Sequence, residues 1–517
     1  MKRFFFYLTL ILISYICAVI VNHPDNDLWA RLAVGSLFFQ TGGVLRHDIF
    51  AYTPTKDLWV DHEWGSGVIF YFFVDKFGDW GLFLLKAILL LMIFVLLSKI
   101  IRLYIEKNLH IEVFYFIFLA FSILPGIANL LRSQIFTLLF FVFWIYILER
   151  VRRGENRLLW TLPVTMIIWA NLHGGFVTGL GLLLIYALGE YLNKKDFLKF
   201  LWILGLSILV TLINPYGINY WSYILDATTM SRSLIGEWMP VSLVDGPFHI
   251  INGVSIHILS GFFLFLLLTL IVGIRLLINQ TKADWVKILL IGITLYLGLK
   301  HQRHVVFFIF VVSGLLYHQY LALFYSIFDL IKNKMGEKFS RYLVLSKNML
   351  VYVLIISACM FFVPTLPNKI AVKPIFYPVG AFEFIKQNNL SGNLATTYGW
   401  GSYALWKLYP QCKVLIDGRY EEVYPNDVYE LAMNFSEHLN DNWYKFLDYF
   451  HTDIIVASKL KYLSDDLEIL GGWKVVYEDA VSVVFLPLDK IKDSYIYPNF
   501  RSRIYWQEDL SKPVNLN

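Results

Sequence analysis

Apolar stretches of close to 20 residues recur from residue 4 to residue 367, and nothing else in the sequence constrains the fold as tightly. A hydrocarbon core of roughly 30 Å is crossed by about 20 apolar residues in a helix. The segments 4–21, 80–101, 111–124, 135–148, 158–169, 176–188, 200–213, 258–277, 285–299, 305–325 and 349–364 are each read as a span, about eleven in all. With 57% hydrophobic residues, only 16% charged and a mean hydropathy of +0.58, the composition is that of a polytopic α-helical membrane protein and excludes an ordinary soluble domain.

Lysine and arginine set the orientation, because short loops rich in them stay cytoplasmic. With the N-terminus inside, the inner loops hold Lys2 and Arg3; Lys99, Arg102 and Lys107; Arg150, Arg152, Arg153 and Arg157; and Lys194, Lys195 and Lys199. Later inner loops hold Arg275, Lys282 and Lys287, then Lys332, Lys334, Lys338, Arg341 and Lys347. Outer loops are sparse, with Arg132 in one, Arg232 in another and none around His173. An odd number of crossings places residues 368–517 outside. Two domains are therefore expected: a membrane domain over 1–367 that includes a long outer loop, 22–79, and an exoplasmic α/β domain over 368–517. In the latter, NLATTY, CKVLID, TDIIVAS and WKVVYE read as strands, and GAFEFIKQNN and NDVYELAMNF as helices.

The net charge of +5 is loop bias spread over inner connections, not a basic face interleaved with aromatics, so no nucleic-acid partner is expected. Cys17 and Cys359 lie in apolar spans and Cys412 stands alone outside, which leaves no outer-face disulfide and no thiolate metal site. The first apolar segment follows Lys2 and Arg3 but lacks a small-residue cleavage site. It is read as an uncleaved anchor in a bacterial inner membrane.

The outer loop 22–79 is far longer than a simple connection needs. Leu28, Leu32 and Phe39 share a helical face with Asp27 and Arg31 displaced from it, so a helix lying at the membrane interface is expected; VIFYFFV is too short to cross and reads as interfacial or re-entrant. Acidic and imidazole groups gather in HPDND (Asp25, Asp27), RHDIFAYT (His47, Asp48) and VDHEW (Asp61, His62, Glu63). Carboxylates can take a proton from a hydroxyl or ligate Mg²⁺ or Mn²⁺, and Asp27 and Asp48 are the metal candidates. The alternative is structural: Asp27 pairs with Arg31 one turn on, Asp48 caps a turn, and the Asp-His-Glu run is solvated.

Other outer edges carry Arg132 in NLLRSQ, His173 in WANLHGGF, His257, and His301, Arg303 and His304 in KHQRHVV. Guanidinium and imidazole donors at headgroup depth suit a lipid-linked phosphate, and contact with membrane lipid headgroups is their simpler use. Glycines 174 and 175 allow a ligand close to the backbone beside His173. The outer loop 214–256 carries NPYG, WSYILD and GEWMP, where Glu237 and Trp238 suit a sugar groove or an amphipathic interfacial helix. Span interiors contain only Lys86 and His318 well inside, with Glu190 at an end and no inverted repeat of broken helices. That pattern speaks against a midplane transport site.

DLWARLAVG, HDIFAYTPTKDLWVDHEW, WANLHGGF, NPYG and YGWGSYALWKLYP followed by KVLIDGRYEEVY resemble a family of bacterial membrane proteins near the GT-C class of glycosyltransferases, which includes protein mannosyltransferases, aminoarabinose transferases and oligosaccharyltransferases. The resemblance spans most of the chain and implies transfer of a sugar from a polyprenyl-phosphate-type donor to a glycan, lipid or protein acceptor outside the cytoplasm, with inversion. It implies Asp25 or Asp27 as general base or metal ligand, and Arg132, His173, Arg303 and His304 as holders of the lipid phosphate. Asp48, His62, Glu63 and Glu237 would support the acceptor or a metal. The adjacent Asp-Glu pair of protein mannosyltransferases stands here as Asp25-Asn26-Asp27, and the WWDYG motif of oligosaccharyltransferases is absent. In LIDGRYEEVY, Asp417 and Arg419 read as a strand-end turn with Arg419 pairing to Glu421, or as acceptor ligands; YGWGSYALW reads as a glycine-loosened loop entering a helix. A lipid-linked saccharide flippase or exporter, and a noncatalytic assembly protein, are the readings that compete with the enzyme.

Overall fold

The computed structural model describes residues 2–105, 109–127, 130–229, 236–242, 248–251, 254–257, 260–335, 369–374, 376–459, 467 and 469–498. Its helices are α1 Lys2–Val19, α2 Asn26–Thr41, α3 Trp64–Phe77, α4 Asp79–Ile101, α5 Leu109–Ser122, α6 Leu124–Ile127, α7 Gln134–Val151, α8 Thr161–Leu172, α9 Val177–Leu192 and α10 Leu198–Val210. α11 Asn219–Thr229, α12 Ser260–Ile278, α13 Trp285–Lys300, α14 Val305–Leu315 and α15 Tyr317–Met335 follow. Between α11 and α12 lies a short hairpin, β1 Phe248–Ile251 and β2 Val254–His257.

The chain is an integral membrane protein. α4 shows why: it is apolar all round, burying Leu82, Leu85, Leu89 and Ile93 while exposing Leu84, Ile88 and Met92 one turn apart. A stripe of that kind is stable where lipid covers it. Each expected segment from 4–21 through 285–299 coincides with a helix and 305–325 with two, while the expected count of about eleven spans is not confirmed among the described residues. Among the described residues four helices are long and apolar enough to cross, Asp79–Ile101, Gln134–Val151, Gly174–Leu192 and Ser260–Ile278. A fifth is counted if Gln302–Leu315 and Tyr317–Leu330, bent by 68°, form one span. α8 and α10, with 12 and 13 residues, fall short of the membrane thickness by themselves. The expected span 349–364 lies outside the described residues, as does Cys359.

The loop 22–79 is more deeply packed than an interfacial helix would be. α2 buries the whole run from Leu28 to Leu37, Arg31 included. It lies directly on α3, because Gly35 and Gly67 let the two backbones touch: a Cβ on Gly35 would stand 2.1 Å from the Gly67 carbonyl oxygen. The VIFYFFV run is the middle of α3.

The C-terminal α/β domain is built on a five-stranded sheet of β3 Gly392–Thr396, β4 Cys412–Val414, β5 Ile454–Ser458, β6 Trp473–Glu478 and β7 Ser482–Pro487, in the order β4-β3-β5-β7-β6. β4, β3 and β5 run parallel; β7 is antiparallel to β5, and β6 to β7. Every residue of β5 is buried, as expected of a central strand covered on both faces. Helices α16 Val379–Gln387, α17 Tyr398–Leu408 and α18 Asn426–Glu437 surround the sheet. α17 starts at Tyr398, so YGWGSYALW is helical throughout and not a loop at its start; Gly401 serves close packing, since a Cβ there would meet the Ile416 carbonyl oxygen at 1.9 Å.

The loop 22–79 and the sheet are joined through main chain. Residues 50–52 run parallel to β4, with Val414 donating to Phe50 at 2.9 Å and Tyr52 donating back to Val414 at 3.1 Å. The loop thereby covers a sheet edge that would otherwise offer unpaired amides. α17 packs on α2 through Trp29, whose ring lies 4.9 Å from Tyr403 and 6.4 Å from Trp406.

Candidate active site

The start of α2 carries the first group of charges. Asp25 is its N-cap, accepting from the Leu28 amide at 3.2 Å, and its second oxygen pairs with Arg132 Nε. Asp27, in the first helical turn, stands 3.7 Å from the same Nε. Arg132 reaches with Nη1 to Glu237 at 2.6 Å, and the other Glu237 oxygen takes Arg303 Nη1 at 3.1 Å. Arg303 also donates to Gln134 at 3.2 Å and lies 4.6 Å over the Trp238 ring. His304 sits against the far side of this group, its ring 5.8 Å from Trp238. Asp25, Asp27, Arg132, Glu237 and Arg303, from four separate segments, thus form one cluster at the start of α2.

Asp27 faces the open part of the cleft, with 49% of its side-chain surface exposed against 21% for Asp25. Protein surrounds it on its remaining sides. That enclosure pushes its carboxyl up to about 7, with Arg132 pulling down and Asp25, Glu63 and Glu237 pushing further up. Burial works in the same sense on Glu237, but Arg132 and Arg303 outweigh it and hold that carboxyl below its usual range. Beneath Arg132 a cavity with room for about one water is lined by Lys86, Gly126, Ile127, Gln134 and Ile135. The Lys86 ammonium donates to the Ile127 carbonyl there at 2.9 Å.

A second network lies one turn further along α2. Arg31 pairs with Asp61, with Glu63 at 3.2 Å and with Glu422 of the α/β domain at 2.9 Å. His62 Nδ1 meets Glu422 at 2.9 Å, and Trp59 donates to the other Glu422 oxygen at 3.0 Å. His173 receives the Gly175 amide on Nδ1 at 2.8 Å, which leaves its proton on Nε2, facing Glu63 at 3.4 Å. Burial lowers His173 to about 4, so it is neutral. His62 is raised to about 9, the pull of Glu422 and Glu63 exceeding the effect of burial. Glu422 falls to about 2 beside Arg31 and His62 despite its burial, and Asp61 rises to about 6 because burial outweighs Arg31.

A third network is fully enclosed. Arg419 holds Asp417 through two bonds, 2.8 and 2.6 Å, and Asp48 through a third at 2.7 Å; Tyr424 donates to Asp417 at 2.7 Å. The second Asp48 oxygen accepts from the Phe50 and Ala51 amides at 3.0 and 2.7 Å. Asp417 and Arg419 therefore join the domain to the loop 22–79.

Several expectations are corrected by these contacts. Asp27 does not pair with Arg31, whose three partners are Asp61, Glu63 and Glu422, and the Asp-His-Glu run is not solvated: Asp61 is 1% exposed. Arg419 pairs with Asp417 and Asp48; the side chain of Glu421, its expected partner, lies outside the described residues. Asp27 and Asp48, the candidates for Mg²⁺ or Mn²⁺, are not joined by any contact, since both Asp48 oxygens serve Arg419 and backbone amides. Among the described residues no three His, Cys, Asp or Glu side chains gather as a metal-binding set. His62, Glu63 and His173 belong to the second network, and Glu237 sits on the two arginines. The side chains of Arg232 and His257 lie outside the described residues. Arg31 and Glu422 were not among the candidate site residues, and Asp61 was singled out only as one of the acidic groups of VDHEW. An Arg one turn after an acidic helix start was visible in the sequence, but neither its burial nor its partner 391 residues away left a signal.

The α/β domain reaches the cleft by the segments that follow its parallel strands, the first turn of α17 after β3 and the loop after β4. A Cβ on Gly418, after β4, would lie 3.4 Å from an Asp27 oxygen, and one on Gly399, after β3, 3.5 Å from the Asn26 amide nitrogen. Ligand sites in open α/β sheets commonly form at such carboxyl-end loops.

No protein-family model and no curated protein matches the sequence. Solved structures do match the fold. The chain is similar to the archaeal oligosaccharyltransferase AglB from Archaeoglobus fulgidus in complex with an inhibitory peptide and a dolichol-phosphate, with a TM-score of 0.56 and 11% identity over 98% of this chain and 76% of that one. It is similar to the same organism's oligosaccharyltransferase tethered to an acceptor peptide containing the NVT sequon, with a TM-score of 0.53 and 12% identity over the same shares, and to the apo form, with a TM-score of 0.52 and 11% identity over 87% and 69%. The chain therefore shares the fold of these oligosaccharyltransferase structures.

Proposed function

We propose that the protein is a glycosyltransferase that moves a sugar from a polyprenyl-phosphate-type lipid to an acceptor on the exoplasmic side. The observation that carries this reading is the convergence of Asp27, Arg132 and Arg303 on one cleft at the start of α2, beneath the strand-end segments of the α/β domain. A fold shared with an oligosaccharyltransferase solved with dolichol-phosphate supports it.

In this reading an acceptor hydroxyl attacks the anomeric carbon, the bond from that carbon to the phosphate oxygen breaks, and the sugar is transferred with inversion. Asp27 takes the hydroxyl proton; it is the most open carboxylate of the cluster, and a carboxyl near 7 is well matched to a base at neutral pH. The lipid phosphate leaves with its charge held by Arg132 and Arg303, and His304 borders the same place. Asp25 positions Arg132. Neutral His173 is tied to Glu63, which suits it to fixing the cleft wall beside the phosphate. The groups present suit a base and two guanidiniums; a divalent ion would have Asp27 and Asp25 as nearest ligands, with Arg132 already between them.

The membrane domain over 1–367, the exoplasmic domain over 368–517, a cytoplasmic N-terminus and a bacterial inner membrane complete the proposal. A flippase would need a polar route to the inner face. There Arg152 ties α7, α9 and the start of α13 together through Glu149 at 3.2 Å, Glu190 at 2.6 Å and Asp284 at 2.8 Å. The test is transfer of labelled sugar from polyprenyl phosphate in membranes holding the full chain or its Asp27→Asn variant. Loss of transfer in the variant supports the assignment; transfer at the wild-type rate removes Asp27 as base.

A further inference from the structure

Glu237 occupies the place where the two arginines would meet an anion. Its carboxylate spans Arg132 and Arg303, one oxygen on each, at 2.6 and 3.1 Å. A phosphate oxygen pair bridging the same two guanidiniums would need the same positions and the same donor hydrogens. Around these two cations stand three carboxylates, Asp25, Asp27 and Glu237. A phosphate added without any rearrangement would bring a further negative charge into a cluster already short of cations, at separations where like charges repel strongly.

The carboxylates differ in how firmly they are held. Asp25 caps α2 through the Leu28 amide, so its withdrawal would undo the start of that helix. Among the described residues the Glu237 carboxylate is hydrogen-bonded or ion-paired to the two arginines alone, and 34% of its side chain is exposed. The backbone after it is fixed: Trp238 and Met239 carbonyls accept from His301 at 2.6 Å and from Gln302 at 3.0 Å, and the Val241 amide donates to Leu299 at 3.0 Å. Release of Glu237 therefore requires only rotation of its own side chain, while Trp238 stays under Arg303.

We infer that Glu237 is a built-in surrogate for the donor's phosphate, which keeps Arg132 and Arg303 paired and aligned in the empty cleft and is displaced when a lipid phosphate binds. This rests on the phosphate-binding reading of the two arginines given above. Glu237 would then set donor affinity by competition, because every binding event must first break its two ion pairs.

The experiment is equilibrium binding of radiolabelled undecaprenyl phosphate to the detergent-purified full chain and to its Glu237→Gln and Glu237→Asp variants, with a Glu237→Gln, Arg303→Gln double variant. Gln keeps the shape and removes the charge. Expected is tighter binding by Glu237→Gln, about fivefold for partly exposed ion pairs, an intermediate gain for Glu237→Asp, and loss of the gain in the double variant. Equal or weaker binding by Glu237→Gln, with normal binding by the parent chain, overturns the displacement and leaves the phosphate reading intact. No binding by any of the proteins overturns both. Inorganic phosphate serves as competitor. Displacement of the label only at concentrations far above those of unlabelled lipid assigns the anion to a lipid headgroup, whereas displacement at equal concentration overturns that assignment.

Discussion

Between pH 6 and pH 8 the rate of sugar transfer should follow the ionisation of one carboxyl. An ordinary aspartate, at 3.8, is ionised throughout this window and would leave the rate flat. Asp27 is raised to about 7 by its enclosure, with Arg132 opposing and three carboxylates assisting. A base works only when ionised, so the rate is low on the acid side and rises with pH. With its midpoint near 7, Asp27 is ionised to roughly 9% at pH 6 and roughly 91% at pH 8, which makes the step about tenfold. The assay is single-turnover release of labelled sugar from polyprenyl phosphate at saturating donor, run on the parent chain and on Asp27→Asn. Asp61, raised to about 6, also titrates near the lower limit, so the variant is the necessary control. Asp27→Asn should lose about a hundredfold or more of the rate, the usual contribution of a general base, and should show no tenfold step. A flat parent profile, or a step of the same size in the variant, would refute the assignment.

The second network yields further expectations. Glu422→Gln leaves Arg31 and His62 buried with one fewer counter-charge and should destabilise the detergent-purified protein by about 3 kcal/mol, read as a lowered Tm; an unchanged Tm contradicts a role for Glu422 in joining loop and domain. His62, raised from 6.5 to about 9, contributes stability that is complete below pH 6.5 and is lost as pH rises through about 9. That difference is worth about 3 kcal/mol, so Tm should fall across pH 7 to 9.5, and His62→Gln should flatten the fall. Gly35→Ala forces α2 off α3, where 2.1 Å is available, and should cost about 1–3 kcal/mol in thermal unfolding; a silent substitution would show that the helices separate freely.

Much of the fold was legible because lipid makes hydropathy nearly decisive. Segments from 4–21 to 305–325 each became helices, and the strands at NLATTY, CKVLID, TDIIVAS and WKVVYE were readable from short β-branched runs. What failed is informative in the same terms. Span length cannot be read when a helix stops early, as α8 does before His173, or breaks, as the chain does between α14 and α15. β7, SVVFLP, was missed although all but its last residue are buried, because an apolar run of six carries no period. Arg31 was assigned to Asp27 by the one-turn rule. That rule applies to an exposed helix face, and α2 is buried on that face by α3 and the α/β domain.

The candidate site divides along the same line. Asp25, Asp27, Arg132 and Arg303 announced themselves as polar groups near apolar segment ends, where a charge has few uses besides the headgroup region and a ligand, and Glu237 as a carboxylate beside Trp238 in the loop 214–256. Arg31, Asp61 and Glu422 are buried, and their pairing could be recognised only once loop and domain were in contact. Their burial has a consequence for the cleft: Asp27 lies in the same helix one turn before Arg31, so the position of the proposed base is fixed by a network whose far end, Glu422, belongs to the α/β domain. Gly418 of that domain also stands at Asp27 itself. A shift of the domain would therefore move both the wall and the base together. The domain is as much a part of the cleft as the helices that hold the arginines.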